Sequence, residues 1–374
     1  MDKEIYAFIF QGEIERIYIE TGGDTKIGDL IKNYFQRIKK LNLLSQNLEN
    51  TYFMYNSKKI NDDDYDKKLY EYFHNPIGNF ILAMNSYNSK LDYEIISKIK
   101  ENIYTCVYKA KITSQSNYPE NEYVAVKKIF KDKIKEEMIL TLCKERITEE
   151  DFKPEIEKFN KEIHNMQLCE CKNSVKIYDY YDIGNEFIII MELCDDTLFN
   201  VLARTENGFS PEEIKEILLQ LNNVFKLMNH YNISHRDIKL NNILVKYLNQ
   251  EKTKYKVLLS DYGVSNQLYS MTQKLMTHIG TQLIMAPEIL NDEKYTNKCD
   301  LWSLGVIIFQ MYTKQFPYVS RVEKGILNLI DKHKQTILNV IKDEKLKDLL
   351  SKLLVKNPDE RMSWDEYFEH PFFN

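Results

Sequence analysis

Apolar residues in the first part of the chain form β-type segments that flank one helical segment. Residues 4–10 are apolar and β-prone, residues 14–20 alternate between apolar and polar, and a Gln-Gly pair separates them, which predicts a hairpin. Over residues 27–38 the apolar positions recur at helical spacing, which predicts a helix. Strand character returns over residues 51–60, around an Asn-Ser turn, and again over residues 79–84. The predicted order is strand, strand, helix, strand, strand.

Two polar or charged stretches interrupt the apolar segments of the remaining chain. Residues 131–156 are rich in charge, and their apolar cluster Met138-Ile139-Leu140 with Leu142 predicts an extra helix. Either a regulatory contact or a plain surface insertion explains that helix. The polar stretch 247–255 lies between two apolar segments and predicts a longer surface turn in a hairpin.

Length and composition limit the classes of protein that fit. The 374 residues are 43% hydrophobic and 29% charged, which is enough for one large domain or two smaller ones. Polar, turn-prone residues follow the last predicted N-terminal strand, so we predict domains at 1–86 and 93–374, joined by a linker at 87–92. A net charge of −5 gives no reason to expect nucleic acid as a partner.

The sequence carries neither a secretion signal nor a membrane-spanning segment. The chain contains no apolar run of eighteen or more residues and begins with Met1-Asp2-Lys3-Glu4, so we expect no membrane-spanning helix and no signal peptide. The six cysteines are scattered, which favours a reducing compartment, the cytoplasm, with the nucleus also open. Cys169 and Cys171 lack a second pair at zinc spacing, so buried thiols are the simpler interpretation.

Charged and amide side chains cluster in a few short segments of the second domain. Residues 235–242 have the sequence HRDIKLNN, Asp261-Tyr262-Gly263 and Ala286-Pro287-Glu288 follow, and Val124-Ala125-Val126-Lys127 precedes them. In this order and spacing the segments resemble the signature set of the eukaryotic protein kinases, and the resemblance runs from about Leu91 to the C-terminus. It implies a serine/threonine-type protein kinase fold with a β-rich small lobe and an α-helical large lobe, which uses ATP and Mg²⁺ on protein substrates.

The resemblance implies a role for each charged residue of the site. Asp237 would orient the substrate hydroxyl, and Lys239 would neutralise charge on the γ-phosphate. Asn242 and Asp261 would supply oxygen ligands to Mg²⁺. Lys127 would bind the α- and β-phosphates and pair with a helix glutamate.

Glu162 is our candidate for that glutamate. It keeps the family's distance to the strand that begins near Val175, although the insertion leaves Glu155 and Glu157 as alternatives. Strand alternation points Lys128 to the face opposite Lys127.

The same alignment with the family pattern locates the adenine site. Met191 resembles the gatekeeper residue, and the hinge follows it. The residues that the resemblance assigns to ATP binding are Ile99, Val107, Ala125, Lys127, Met191, Glu192, Cys194 and Leu244.

Arg236 would bind a phosphate on the activation segment, at Thr277, with Ser270 and Thr272 as alternatives. Thr281 together with Lys239 is similar to the serine/threonine-specific pattern.

Two structural contacts are also implied by the family. Glu288 should pair with Arg361, and Asp300 should hold the backbone of the catalytic loop.

One segment departs from the family pattern. The phosphate loop should read G-x-G-x-x-G, but Lys100, Asn102 and Thr105 occupy the glycine positions. Asn tolerates positive φ best of the three, and Lys100 could recover part of the lost phosphate binding. Two alternatives are therefore open: an active kinase with weakened ATP binding, and a pseudokinase scaffold that binds partners. The lysine, the base and the metal-binding residues are all present, which favours the active kinase.

The N-terminal pattern resembles the ubiquitin-like β-grasp fold over residues 1–86, through the segment 53–62. The overall fold class is therefore α+β: a small ubiquitin-like domain before a bilobal kinase domain. A small α+β extension packed on the kinase is the alternative. The resemblance implies a protein partner for this domain, and binding of that partner could be the chain's main work.

Overall fold

The structure is a computed structural model, and its contacts divide the chain into two units, Met1–Asp92 and Tyr93–Asn374. It describes residues 3–10, 13–20, 51–55, 58–60, 79–85, 93–113, 123–261, 283–291, 293, 295–319, 327–330 and 336–374.

The first unit contains one five-stranded sheet. Its strands are β1 (Lys3–Phe10), β2 (Glu13–Glu20), β3 (Thr51–Tyr55), β4 (Lys58–Ile60) and β5 (Asn79–Asn85). The spatial order is β2-β1-β5-β3-β4. β1 runs antiparallel to β2 and parallel to β5. The strands predicted from the sequence are confirmed, and the helix predicted over residues 27–38 lies outside the described residues.

The second unit begins with a β-rich lobe. Its sheet consists of β6 (Tyr93–Glu101), β7 (Thr105–Ile112), β8 (Tyr123–Phe130), β9 (Ile177–Ile183) and β10 (Glu186–Glu192). All neighbours are antiparallel, in the order β6-β7-β8-β10-β9. Two helices connect β8 to β9, namely α1 (Lys131–Leu142) and α2 (Glu149–Leu168). Helix α1 confirms the extra helix predicted in the charged stretch.

Helix α2 is positioned by its first turn and by aromatic packing. The side chains of Thr148 and Asp151 cap each other's backbone N–H groups, which satisfies donors that a helix start leaves free. Phe159 on its buried face stacks on Phe187 of β10 with 4.3 Å between ring centroids. These contacts fix the helix against the sheet, and with it the acidic side chains that it carries.

The rest of the second unit is mainly helical. A small sheet contains β11 (Asp196–Thr197), β12 (Ile243–Tyr247) and β13 (Tyr255–Leu259). The described helices are α3 (Leu198–Arg204), α4 (Pro211–His230), α5 (Pro287–Leu290), α6 (Lys298–Thr313), α7 (Glu344–Leu353) and α8 (Trp364–Phe368). Short 3-10 turns cover Leu240–Asn242 and Pro371–Phe373. The predicted β-rich and helical lobes are thus both present.

Helix α6 forms the centre of this lobe, with nearly all its side chains buried. A Cβ at Gly305 would lie 2.9 Å from the Cβ of Leu353, so glycine is what allows α6 to approach α7 so closely. The turn predicted at 247–255 is confirmed, because Tyr247 and Tyr255 are the last cross-strand pair of β12 and β13. No described helix has the length and apolar composition needed to span a membrane.

Candidate active site

The hairpin of β12 and β13 brings the predicted metal ligands to one end of the small sheet. Ile243 pairs with Leu259, and the next residue, Ser260, donates from its backbone N–H to the carbonyl oxygen of Asn242 at 2.9 Å. Asp261 follows with φ of +58°, in the left-handed region that a non-glycine residue seldom adopts. The amide of Asn242 and the carboxylate of Asp261 therefore lie at the same end of the hairpin.

The loop over residues 235–239 is held by one buried carboxylate. Asp300, at the start of α6, is fully buried and accepts hydrogen bonds from the backbone N–H groups of His235 and Arg236, both at 2.7 Å. Arg236 has φ of +64°, so these bonds hold the loop in a conformation that is otherwise unfavourable. The role expected of Asp300 in holding the loop backbone is confirmed.

The imidazole of His235 links the loop to the hairpin. Its Nε2 lies 2.9 Å from the carbonyl oxygen of Ser260, and its Nδ1 lies 3.3 Å from the backbone nitrogen of Asp237. The carbonyl can only accept and the backbone N–H can only donate, so both contacts require the neutral tautomer with the proton on Nε2. His235 thereby fixes the backbone of Asp237 relative to the segment that carries Asp261.

Asp237 has one satisfied and one unsatisfied carboxylate oxygen. Its Oδ2 accepts from the side-chain amide of Asn242 at 2.8 Å and pairs with Nζ of Lys239 at 2.6 Å. Its Oδ1 is buried without a hydrogen-bond partner within the part of the chain that the structure describes. A buried acceptor without a partner is costly, so this oxygen is ready for a donor such as a hydroxyl group.

Lys127 connects the β-rich lobe to the hairpin. The lysine lies in β8 and is 4% exposed, and its Nζ is 2.6 Å from Oδ1 of Asp261. Burial alone would lower the pKa of Lys127, but the charges of Asp261 and Glu162 and the hydrogen bond to Asp261 raise it. A buried lysine with two acidic neighbours stays charged at neutral pH.

Asp261 is held in its ionised form by several cations. Burial alone would raise its pKa, but the charge and hydrogen bond of Lys127, followed by the charges of Lys100 and Lys239, lower it to about 2. The carboxylate is therefore anionic under all ordinary conditions. This is the state in which a carboxyl group can bind a hard cation.

The three glutamates considered for Lys127 lie in different environments on α2. Glu162 is 2% exposed, and its charge acts on Lys127. Glu155 forms an ion pair with Lys158 at 2.7 Å, and Glu157 is exposed. This geometry favours Glu162.

Lys128 follows Lys127 in β8 and takes part in a different contact. It forms an ion pair with Glu186 at 2.9 Å. Neighbouring residues of a strand point to opposite faces, as expected for this pair of lysines.

Five of the residues assigned to ATP binding meet in one apolar cluster. Ala125 and Met191 belong to the buried core of the β-rich lobe, and Val107, Cys194 and Leu244 pack against it while partly buried. Burial raises the pKa of the Cys194 thiol to about 12, so this side chain is a neutral, apolar contact.

Two further residues of the predicted adenine site lie at its margin. Glu192 pairs with Lys246 of β12 at 2.5 Å. Ile99 is 53% exposed, at a bulge of β6. Their assigned roles in ATP binding stay predictions.

Arg236 makes a contact that the sequence did not indicate. Its guanidinium lies over the ring of Tyr295 at 5.1 Å. No sequence signal marked Tyr295, because it lies in a polar segment far along the chain. Thr277 and Thr281, the predicted regulatory residues, lie outside the described residues, as do Ser270 and Thr272.

The predicted contact between Glu288 and Arg361 is confirmed. The two side chains are 1% and 0% exposed, and Nη1 and Nη2 of the arginine lie 2.7 and 2.9 Å from the two carboxylate oxygens. Such a bidentate pair joins the short helix α5 to the C-terminal helices.

The cysteines carry no metal-binding pattern in the described part of the chain. All six lie within it and are free thiols. Cys169 is buried, which raises the pKa of its thiol. No cluster of three or more His, Cys, Asp or Glu side chains suited to a metal ion occurs among the described residues.

A two-lobed fold with lysine, carboxylate and amide side chains converging between its sheets is that of the protein kinases. The chain belongs to the protein kinase domain family, whose model matches residues 93–373. Members of this family use ATP together with Mg²⁺.

Several serine/threonine-protein kinases are similar to this chain. Human ULK1 is 27% identical over 66% of this chain and 24% of its own length. The kinase pakG of Dictyostelium discoideum is 34% identical over 58% of this chain and 18% of its own length. The kinase cds1 of Schizosaccharomyces pombe is 27% identical over 79% of this chain and 60% of its own length. The chain thus spans less than two thirds of each of these relatives.

Proposed function

We propose that this chain is an ATP-dependent serine/threonine protein kinase, which transfers the γ-phosphate of ATP to hydroxyl groups of protein substrates. The observation that carries the proposal is the buried Oδ1 of Asp237, which lacks a partner among the described residues beside the paired lysines and carboxylates. The similarity to serine/threonine-protein kinases supports the same activity.

The oxygen donors of Asn242 and Asp261 fit a magnesium ion. The amide nitrogen of Asn242 donates to Asp237, which leaves its amide oxygen as the atom that can bind a cation. Asp261 supplies an anionic oxygen, because its pKa is about 2. Bound there, Mg²⁺ would neutralise charge on the phosphates of ATP.

The residues of the chain would position the reactants and stabilise charge. Oδ1 of Asp237 would accept the hydrogen bond of the substrate hydroxyl and direct its oxygen in line with the γ-phosphorus. As the new O–P bond forms, the bond between the γ-phosphorus and its bridging oxygen breaks, ADP leaves, and the hydroxyl proton passes to the carboxylate. Lys239 would exchange its pair with Asp237 for the γ-phosphate, and Lys127 would bind the α- and β-phosphates.

Regulation by phosphorylation of the activation segment is part of the proposal. Arg236 would exchange its contact with the ring of Tyr295 for a phosphate on Thr277, with Ser270 and Thr272 as alternatives. A phosphate binds an arginine more strongly than an aromatic ring does, because both partners are charged.

The alternative, a pseudokinase scaffold, is not favoured. It would be expected to have lost the lysine, the base or the metal aspartate. Lys127, Asp237 and Asp261 are all present, and Lys127 pairs with Asp261.

An activity assay tests the proposal. The full chain with Mg²⁺ and labelled ATP should phosphorylate itself or a generic basic protein, and Asp237→Asn should reduce the rate by about 10²- to 10⁴-fold. Asp359→Asn makes the same chemical change at an exposed position and should leave the rate unchanged. Equal background rates for the wild type and Asp237→Asn would instead support the scaffold.

We also propose that the first unit is a ubiquitin-like β-grasp domain that binds a protein partner. Its strand order, with β1 parallel to β5 and a hairpin on either side, supports the proposal. An experimental structure of the full chain should contain a helix over residues 27–38 packed across this sheet. A sheet without that helix would overturn it.

The proposed location is the cytoplasm, with the nucleus also open. The six free thiols support a reducing compartment. Imaging of a fluorescently tagged chain tests this, and accumulation in the secretory pathway would contradict it.

A further inference from the structure

The turn between β6 and β7, which stands where the family has its glycine-rich loop, is held by backbone hydrogen bonds. Residues 99–107 contain no glycine. The backbone N–H of Asn102 donates to the carbonyl oxygen of Thr105 at 2.8 Å, and the carbonyl oxygen of Tyr104 accepts from Phe130 at 2.9 Å. The backbone donor at one glycine position is thus used inside the turn and is not available to a phosphate.

Cross-strand register places a lysine of this hairpin on the same face of the sheet as Lys127. Lys100 of β6 is directly opposite Val107 of β7, and Val107 is directly opposite Lys127 of β8. Residues directly opposite each other in neighbouring strands project from the same face. Lys100 and Lys127 therefore project from the face that also carries Val107 of the predicted adenine site.

A bulge in β6 is what gives Lys100 this direction. The pairing shifts between Lys98 and Lys100, so that Ile99 has no cross-strand partner in β7. In a regular strand, two residues that are two positions apart share a face. Here Lys98 is opposite Tyr108, on the other face, where it forms an ion pair with Glu101 at 2.5 Å. Bulges commonly redirect a side chain next to an active site.

Lys100 is exposed, so its side chain is free to move toward a ligand.

We infer that Lys100 is a phosphate-binding residue, whose ammonium group contacts the triphosphate of ATP in place of backbone N–H groups of a glycine-rich loop. The inference rests on the proposed function. A lysine suits this task because its charge lies on a long, flexible stem and it can donate three hydrogen bonds. With the bulge in β6 and the hydrogen-bonded turn after it, the phosphates would be bound by a side chain and not by backbone N–H groups.

Nucleotide titrations of the full chain test the inference. Lys100→Met keeps the length of the side chain and removes its charge, and it should weaken binding of ATP with Mg²⁺ by about tenfold. Binding of adenosine, which has no phosphates, should stay unchanged. Lys100→Arg keeps the charge and should retain most of the affinity for ATP.

Lys98→Met is the matched control, since it removes the same charge two positions away on the other face of the sheet. It should bind ATP like the wild type. The melting temperature without nucleotide should be equal for all three variants, because both lysines are exposed.

The possible outcomes separate the two proposals. A wild-type chain that binds no ATP at millimolar concentration would overturn the proposed function. A wild-type chain that binds ATP, with Lys100→Met binding it equally well, would overturn the role of Lys100 and leave the kinase activity in place. Equal loss of ATP and adenosine binding in Lys100→Met would also overturn that role, because the effect would then lie outside the phosphates.

Discussion

The buried pair between Glu288 and Arg361 offers a quantitative test of how the large lobe is held together. Arg361→Met removes the guanidinium and leaves a carboxylate that is 1% exposed with both oxygens deprived of the arginine. Breaking a buried ion pair from one side costs about 3–5 kcal/mol, because the remaining charge stays in a poorly solvated site. We therefore expect Arg361→Met to destabilise this unit by about that amount.

The reverse substitution should cost less. In Glu288→Gln the arginine keeps other acceptors, since its Nε donates to the carbonyl oxygen of Val355 at 2.9 Å and its Nη1 to that of Lys298 at 2.8 Å. An expected cost of about 2–3 kcal/mol follows from one weakened charge-assisted contact. The double variant should cost less than the sum of the single ones, with a coupling energy of about 1–3 kcal/mol.

Urea unfolding followed by tryptophan fluorescence measures these differences. The chain has two tryptophans, Trp302 and Trp364, and both lie in the second unit, so the signal reports on that unit alone. With a urea dependence of about 3 kcal/mol per M, Arg361→Met should lower the midpoint by about 1–1.7 M. Midpoints, not amplitudes, are compared, because Arg361 lies over the ring of Trp302 at 5.3 Å.

A surface ion pair provides the control. Lys352 pairs with Asp348 at 2.8 Å, and the two side chains are 48% and 50% exposed. Exposed pairs one helical turn apart contribute only about 0.3–0.5 kcal/mol, so Lys352→Met should leave the midpoint nearly unchanged. The reasoning is refuted if Arg361→Met costs no more than this control, or if Glu288→Gln costs more than Arg361→Met.

Two further outcomes follow from buried ionisable groups. Asp300→Asn leaves one backbone N–H of the 235–239 loop without an acceptor, so turnover should fall by about a hundredfold with an unchanged KM for ATP. An unchanged turnover in steady-state assays would contradict the role of this carboxylate. Burial, and then the charge of Lys161, lower the pKa of His164 from 6.5 to about 4. As pH falls below 6.5, the imidazole of His164 is therefore protonated in the unfolded chain but not in the folded one. Stability should therefore fall by about 1–2 kcal/mol between pH 7 and 5, less so in His164→Gln, and urea midpoints with the same pH dependence in both proteins would exclude this cause.

The sequence predicted those parts of the fold that local patterns encode. Alternation and apolar runs located the strands of both units, and the apolar cluster around Met138 located helix α1. The contact between Glu288 and Arg361 was also predicted, although it joins residues far apart in the chain. That prediction came from the family resemblance, because no local pattern encodes which distant charges meet.

Contacts that depend on three-dimensional irregularities could not be predicted. The ring of Tyr295 under Arg236 has no signal in spacing or composition. The same holds for the left-handed backbone of Asp261, the residue that follows the β12–β13 hairpin and Ser260.

In the phosphate loop, the alternation pattern of a strand fails to predict the direction of the lysine side chains. Strand alternation would put Lys98 and Lys100 on one face, so that both would contact the nucleotide or neither would. The shift in pairing at Ile99 sends them to opposite faces, one to Glu101 and the other to the side of Lys127. If this bulge directs the lysine, then Lys100→Met should weaken ATP binding and Lys98→Met should not, although each variant removes one positive charge from the same strand. A one-residue irregularity, and not the content of charge, would then decide how this kinase domain holds its nucleotide.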